Sequence, residues 1–345
     1  MKKIKVYVDG QSGTTGLQIN ERLAGHPYVE ILRIPEEDRR NEEMRRQFIN
    51  KADVVFLCLP DQAAVEAAAL VDPDNQTTRI IDASTAHRTH PQWVYGLPEL
   101  SPVTRTAIAA AVRLANPGCH ATAFLLPVSP LVAAGILPAD YPVSCHSITG
   151  YTGGGKVMIA EYEDPQRQER YPDYDAPREY ALGQAHKHLP EMQKYAGLAF
   201  APSFSPIVAS FPRGLAVFTH LETRLLRAPQ GETPQSEAPQ GEGTQGETPQ
   251  KKASPQLIRE VLAKHYQDSQ MVQVMPYEGA SCQGAGYLNV KACNDKDRAE
   301  IFVFGNEERI TLACRLDNLG KGAGGAAIQN MNIMMGLPED TGLVK

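Results

Sequence analysis

The chain has no Cys-x-x-Cys pair: its six cysteines stand singly at positions 58, 119, 145, 282, 293 and 314. That spacing signals neither a zinc site nor a disulfide framework. It also lacks any run of the roughly 18 apolar residues needed to span a bilayer. Its first residues, Met1-Lys2-Lys3-Ile4-Lys5-Val6, move into a strand pattern without the apolar core of a secretion signal. A cytoplasmic protein without a membrane partner is expected. Charge of one sign is scarce too: the formal net charge is −6 over 345 residues, with acids and bases interspersed. That balance argues against nucleic acid as the main partner. What is present, with 42% hydrophobic residues, is about two domains' worth of globular chain.

The first hundred residues alternate strand and helix. The pattern predicts a strand at Lys5 to Asp9, then a helix with Leu17, Ile19, Leu23 and Ala24 apolar, and a second strand at Val29 to Ile34. Asp53 to Leu59 is an almost unbroken apolar run, the mark of a strand buried on both faces; a helix at Ala63 to Val71 and a strand at Arg79 to Asp82 follow. Such alternation means an α/β fold with a doubly wound parallel sheet, whose ligands bind beyond the carboxyl ends of the strands. At the first of those ends lie Gly10, Ser12, Gly13, Thr14, Thr15 and Gly16. A glycine loop between strand and helix can cradle a pyrophosphate on backbone N–H groups; the alternative is an ordinary turn. The second strand ends in Arg33-Ile34-Pro35, with no acid to take a ribose 2′-hydroxyl. Arg33, Arg39 and Arg40 favour a 2′-phosphate, hence NADP(H), unless they form only a solvated cationic face.

Cys119 lies in Asn116-Pro117-Gly118-Cys119-His120-Ala121-Thr122, a tight turn opening an apolar stretch from Ala121 to Val132. A thiol in the first turn of a helix meets unpaired N–H groups that lower its pKa, and the same groups could hold an oxyanion. The alternative is a packed, inert cysteine. Pro127 falls inside the expected helix and predicts a kink. Gly150 to Lys156 imitates a phosphate-binding loop but continues with Val157 where Ser or Thr would hold magnesium; a glycine turn approaching a substrate explains it better. His186 and His188, two residues apart, fall on one side of an extended segment. They suit acid/base chemistry at neutral pH. A metal would need a third ligand, none is apparent nearby, and no metal is expected.

Ala228 to Pro255 repeats Ala-Pro-Gln-Gly-Glu and Gly-Glu-Thr-Pro-Gln and has no aliphatic residue larger than alanine. It cannot bury a core and is expected to be a disordered insert without chemistry. A helix over Gln256 to Tyr266 and strands around Met271 to Met275, Tyr287 to Ala292 and Ala299 to Phe304 follow. The small residues between Asp317 and Asn332 allow a helix to approach another backbone closely.

These segments together resemble a known family, N-acetyl-gamma-glutamyl-phosphate reductase of arginine biosynthesis, in its shorter type 2 branch. The resemblance rests on Asp9 to Leu17, Asp82-Ala83-Ser84-Thr85-Ala86-His87-Arg88, Tyr95-Gly96-Leu97-Pro98-Glu99, Asn116 to Cys119, Gly150 to Lys156, His186 to Glu191 and the Asp317 to Asn332 tail. It implies a Rossmann-type NADP-binding domain (1–118), an inserted α+β catalytic and dimerisation domain (119–312, with 228–255 as the insert) and a C-terminal segment (313–345) returning to the first. It further implies Cys119 as nucleophile and His186 or His188 as acid/base, without deciding between them. Arg88, Asn116, Gly118 and Lys156 would face an acyl phosphate substrate, and Asn318 the cofactor. Arg88 and Lys156 could instead be structural ion-pair partners. A homo-oligomer, dimer or tetramer, is expected. His120-Ala121 departs from the family's aromatic-Pro pattern, and the insert is foreign to it. The rival functions are aspartate-semialdehyde dehydrogenase, a carrier-protein-linked acyl-phosphate reductase, and a non-catalytic NADP sensor.

Overall fold

A computed structural model of the protein describes residues 3–227, 253–276 and 286–345. The first half alternates as its apolar pattern requires: β1 (Ile4–Asp9), α1 (Thr14–Ala24), β2 (Val29–Leu32), α2 (Glu42–Lys51), β3 (Val54–Leu57), α3 (Asp61–Ala69), β4 (Arg79–Asp82), β5 (Val94–Tyr95), α4 (Pro102–Ala110) and β6 (Arg113–Ala115). Its six strands pair in parallel in the order β2-β1-β3-β4-β6-β5. The order reverses between β1 and β3, so a crevice opens beyond their carboxyl ends. β3 is buried at every residue, as its unbroken apolar run demands. On α1 the buried face is Gly16, Ile19 and Leu23; Leu17 and Ala24, expected with them, are exposed because they lie off that stripe.

The glycine loop after β1 is sterically fixed. Gly10 has φ +83°, and a Cβ there would lie 2.3 Å from the Cys58 carbonyl oxygen; a Cβ on Gly16 would lie 2.4 Å from the Gly10 oxygen. Any side chain at either position pushes the loop off β3 or away from the start of α1.

The second half begins with α5 (Cys119–Ala133), followed by β7 (Ser144–Gly150), α6 (Gly155–Tyr162), α7 (Arg167–Arg170), β8 (Arg178–Glu179), α8 (Leu189–Ala196), β9 (Ser203–Ala209), β10 (Leu215–Glu222), α9 (Pro255–His265), β11 (Val272–Val274), β12 (Ala299–Gly305) and β13 (Arg309–Leu316). A mixed seven-stranded sheet runs β11-β12-β13-β10-β7-β9-β8, parallel at β7/β9 and β11/β12 and antiparallel elsewhere. The strand expected at Tyr287 to Ala292 is absent; those residues form coil and turn. Most of the expected insert, 228–252, lies outside the described residues. Its last residues are ordered: Ser254 Oγ caps α9 by accepting the Leu257 N–H at 3.2 Å, with Pro255 the first helical residue.

α5 is the hub of this half. It is apolar all round and buried from His120 to Leu131, packing on α8, α9, β10 and β13. The helix continues through Pro127, where a kink was expected, and through a second proline, Pro130. Pro130 cannot donate to the Leu126 carbonyl; the Tyr266 hydroxyl does so instead, at 2.6 Å. The chain then turns through a π-helical segment, Gly320–Gly324, into α10 (Gly325–Met334), which packs on α1, α4 and β4 of the first sheet. Its small residues allow that approach, and Lys321, fully buried, ties the tail down through Glu99 at 2.6 Å.

Candidate active site

A cavity of about 350 Å³ lies where the two sheets meet. One end is the start of α1, at Thr14 and Thr15; the other is Cys119 with His120, His186, Lys187 and His188. Asn116, Gly118, the 150–155 glycine turn, Asn318 and Gly322 also line it. The start of α1 has no side-chain cap, so its first N–H groups are available to an anion. Gly10, Ser12, Gly13 and Gly16 shape the loop behind this end without lining the cavity.

Cys119 is the first residue of α5, as its turn predicts. The neighbouring backbones are pressed against it: a Cβ on Gly322 would sit 2.7 Å from that of Cys119. The thiol does not have the lowered pKa expected of a helix start. Burial pushes it up, and Arg88, the His120 backbone N–H and Lys187 offset only part of that. Nor is the Gly118 amide free to hold an oxyanion, because it donates to Glu191 Oε2 at 3.2 Å.

Glu191 is the organising group, and sequence reasoning named it only as part of a motif. It also accepts from Arg88 Nη1 at 2.8 Å and from the Tyr95 hydroxyl at 2.7 Å, and lies 3.9 Å from His188 Nε2. Arg88, buried, also donates from Nε to the Asn116 carbonyl at 3.1 Å and from Nη2 to the Ala83 carbonyl at 3.4 Å. It is an ion-pair partner of Glu191 that also lines the cavity. Lys156 is exposed and off the lining, whereas Lys187, missed by sequence reasoning, lines it. The signal for Lys187 was its place between the two histidines. Asn116 and Asn318 are committed to structure: Asn116 Nδ2 donates to the Ala323 carbonyl at 3.1 Å, and Asn318 bridges the Gly214 N–H and Thr152 Oγ1 at 2.9 and 3.0 Å.

The histidines separate clearly. His188, buried at the cap of α8, falls within the cluster formed by Cys119 and His120, whose donor atoms all lie within 4.8 Å of one another. Burial, then Arg88 and the neighbouring imidazoles, push its pKa well below 6.5, so it is a neutral base. His186 is half-exposed, accepts the His188 backbone N–H at 3.2 Å and is held at about 4, mainly by burial. His120 is the unexpected member, its Nε2 bonded to the Tyr180 hydroxyl at 3.0 Å. It joins Cys119 and His188 in a cluster of possible metal donors that leaves His186 out.

Arg33, beyond β2, is exposed; Arg39 is paired with Glu36 at 2.5 Å; Arg40 is exposed. Among the described residues no helix is long and apolar enough to cross a membrane.

Residues 5–109 match the family described as semialdehyde dehydrogenase, NAD binding domain, and residues 119–233 the semialdehyde dehydrogenase dimerisation domain. Among solved structures, aspartate semialdehyde dehydrogenase II of Vibrio cholerae complexed with ASA superposes with TM-score 0.66 at 14% identity, covering 97% of this chain and 99% of that one. Aspartate semialdehyde dehydrogenase with NADP from Candida albicans gives 0.61 at 13%, with the same coverage. At such identities the likeness shows the fold. Curated proteins are much nearer: the N-acetyl-gamma-glutamyl-phosphate reductases of Brucella ovis and Brucella canis are each 43% identical over 340 residues, 97% of this chain and 99% of theirs. With that identity along nearly its whole length, the chain belongs to the N-acetyl-gamma-glutamyl-phosphate reductase family.

Proposed function

We propose that the protein reduces N-acetyl-L-glutamyl 5-phosphate to N-acetyl-L-glutamate 5-semialdehyde and phosphate, with NADPH, through a thioester on Cys119. The observation that carries this reading is one continuous cavity joining the uncapped start of α1 to Cys119 and His188. The residues present fit a dinucleotide: Gly10 and Gly16 let the loop fold tightly against Cys58 and itself, and Thr14 and Thr15 line the cavity at the helix start, where a pyrophosphate would lie. Bound there, NADPH supplies the hydride.

In this scheme neutral His188 takes the Cys119 proton as sulfur attacks the acyl carbon and phosphate departs. Lys187, which lines the cavity, holds the phosphate in place of Lys156, one of the two cations, with Arg88, that the sequence offered for substrate anions. Arg88 and Glu191 fix Gly118 and His188 and so position the reacting pair. After reduction the carbon–sulfur bond breaks, His188 returns its proton to sulfur, and the aldehyde leaves. A homo-oligomer fits the second sheet, whose face away from α5 carries half-buried His146, Ile148, Ile207, Phe218 and Phe304. A cytoplasmic setting fits a soluble reduced thiol enzyme.

The test runs the reaction backwards: N-acetylglutamate semialdehyde, phosphate and NADP should yield NADPH absorbance. Aspartate semialdehyde should react at least about a hundredfold more slowly, because it lacks a methylene and the acetamide. Equal rates, or turnover only with a carrier-linked aldehyde, overturn the substrate assignment.

A further inference from the structure

Three soft or borderline donors meet at the cavity's floor. Cys119 Sγ, one ring nitrogen of His120 and one of His188 all lie within 4.8 Å of one another. Reduction needs the thiol and one imidazole; it has no use for the second. Both imidazoles are buried, and the Nδ1 atom of each has no hydrogen-bond partner. Unpartnered buried ring nitrogens are costly, and a metal ion held by one nitrogen of each ring and the thiol fits a cluster of this span. His120 is oriented from outside the cluster, since its Nε2 bonds the Tyr180 hydroxyl at 3.0 Å. In the tautomer whose Nε2–H donates to that hydroxyl, the Nδ1 lone pair is left for a metal.

We propose that Cys119, His120 and His188 form a binding site for Zn²⁺ that takes the thiol out of reaction. One thiolate and two imidazoles suit zinc, and the cavity leaves a fourth position for water. On binding, the Cys119 S–H proton goes to solvent, one S–Zn and two N–Zn bonds form, and nothing is oxidised or reduced. Zinc bond lengths place ligand atoms about 3.3–3.7 Å apart, so small rotations of the side chains close the cluster. The capped thiol can attack no acyl phosphate while the ion is bound.

Zinc is measured on the whole protein by competition with a chromophoric chelator, and Co²⁺ by its visible spectrum. One Zn²⁺ per chain should bind at Cys119, protect it from alkylation and be released by EDTA. Co²⁺ should give a thiolate-to-metal charge-transfer band that Cys119→Ser abolishes. His120→Phe, which keeps an aromatic ring, should weaken zinc at least about tenfold; its fold is checked by circular dichroism. The wild-type cobalt spectrum needs no variant. A cobalt complex without a thiolate band, or His120→Phe binding zinc as tightly as wild type, overturns the site. None of these readouts depends on the substrate assigned above.

Discussion

The two sheets differ in how far along the chain their longest pairings reach. In the six-stranded sheet the widest separation is that of Val6 beside Val54. The seven-stranded sheet has a local hairpin, β12 with β13, but also pairs β10 with β13, Leu215 opposite Leu316. The two ends of the cavity inherit this difference. In the proposed scheme the glycine loop and the start of α1 bind the cofactor through backbone shape, which local sequence sets. At Cys119, Glu191 collects Arg88 from 103 residues away, Tyr95 from 96 and the Gly118 amide from 73. Binding is built locally, chemistry from afar, so damage at each end should have a different signature.

The largest effect is expected at the thiol. Cys119→Ser should keep NADPH binding while reductase activity falls at least about a thousandfold, because a hydroxyl is a poor nucleophile here. Activity within tenfold of wild type would sink the thioester route. The same residue distinguishes a buried thiol from a pre-ionised one. Burial raises the Cys119 pKa above its ordinary 9.0, and only thiolate is alkylated. Alkylation of the cofactor-free protein should therefore climb about tenfold per pH unit between pH 6 and 8.5. A plateau below pH 7 would restore the lowered pKa that the helix start alone suggested.

Glu191→Gln attacks the long-range network without changing its shape. It leaves the Arg88 guanidinium buried beside a neutral partner, a loss on the order of 3 kcal/mol in unfolding free energy. Because Glu191 positions rather than reacts, kcat should drop with the loosened Gly118 and His188 while the NADPH dissociation constant stays within about twofold. Loss of NADPH affinity to match kcat would mean the two ends are not separable.

The same division explains what was legible in the sequence. β1, β3 and β4 were read within a residue or two because each is a short apolar run set by its own pattern, and the helix starts at Cys119 and after the glycine loop because turn chemistry is local. β7, β9 and β10 were passed over. The strand placed at Tyr287 to Ala292 failed: those residues form coil and turn. Leu17, judged apolar from spacing, faces outward because no element covers it. Glu191, Lys187 and His120 were missed for one reason: their meaning is in the partners they meet, not in their neighbours along the chain. The lowered thiol pKa failed likewise, since burial is a property of the assembled fold.

At the local end, Arg33→Ala should lower the NADPH to NADH preference, leaving NADH use nearly constant, since only NADPH carries the 2′-phosphate. Arg33 is exposed, which puts the effect at the low end of the 1.5–3 kcal/mol of a charge-assisted hydrogen bond, about tenfold. Arg39, already paired with Glu36, should matter less. Unchanged ratios in both variants, and in Arg40→Ala, would move the phosphate contact to Ser12, Thr14 or loop amides.

The smallest effect tests whether the second half depends on distant contacts in its scaffold as it does in its chemistry. Pro130 removes the N–H that the Leu126 carbonyl would accept, and Tyr266, 140 residues further on, supplies the missing donor at 2.6 Å. Burial raises the Tyr266 hydroxyl well above its usual pKa, so it stays a donor throughout the working range. Tyr266→Phe keeps the ring and strands a buried carbonyl, which should lower stability by about 1–2 kcal/mol in chemical denaturation at matched protein concentration. Turnover should stay within about twofold, because Leu126 lies two turns below Cys119 and the first bond of α5, Thr122 N–H to Gly118 oxygen at 2.8 Å, is untouched. Unchanged stability would show that the helix tolerates its prolines without help from α9, and the contrast between the two halves would then be confined to the site.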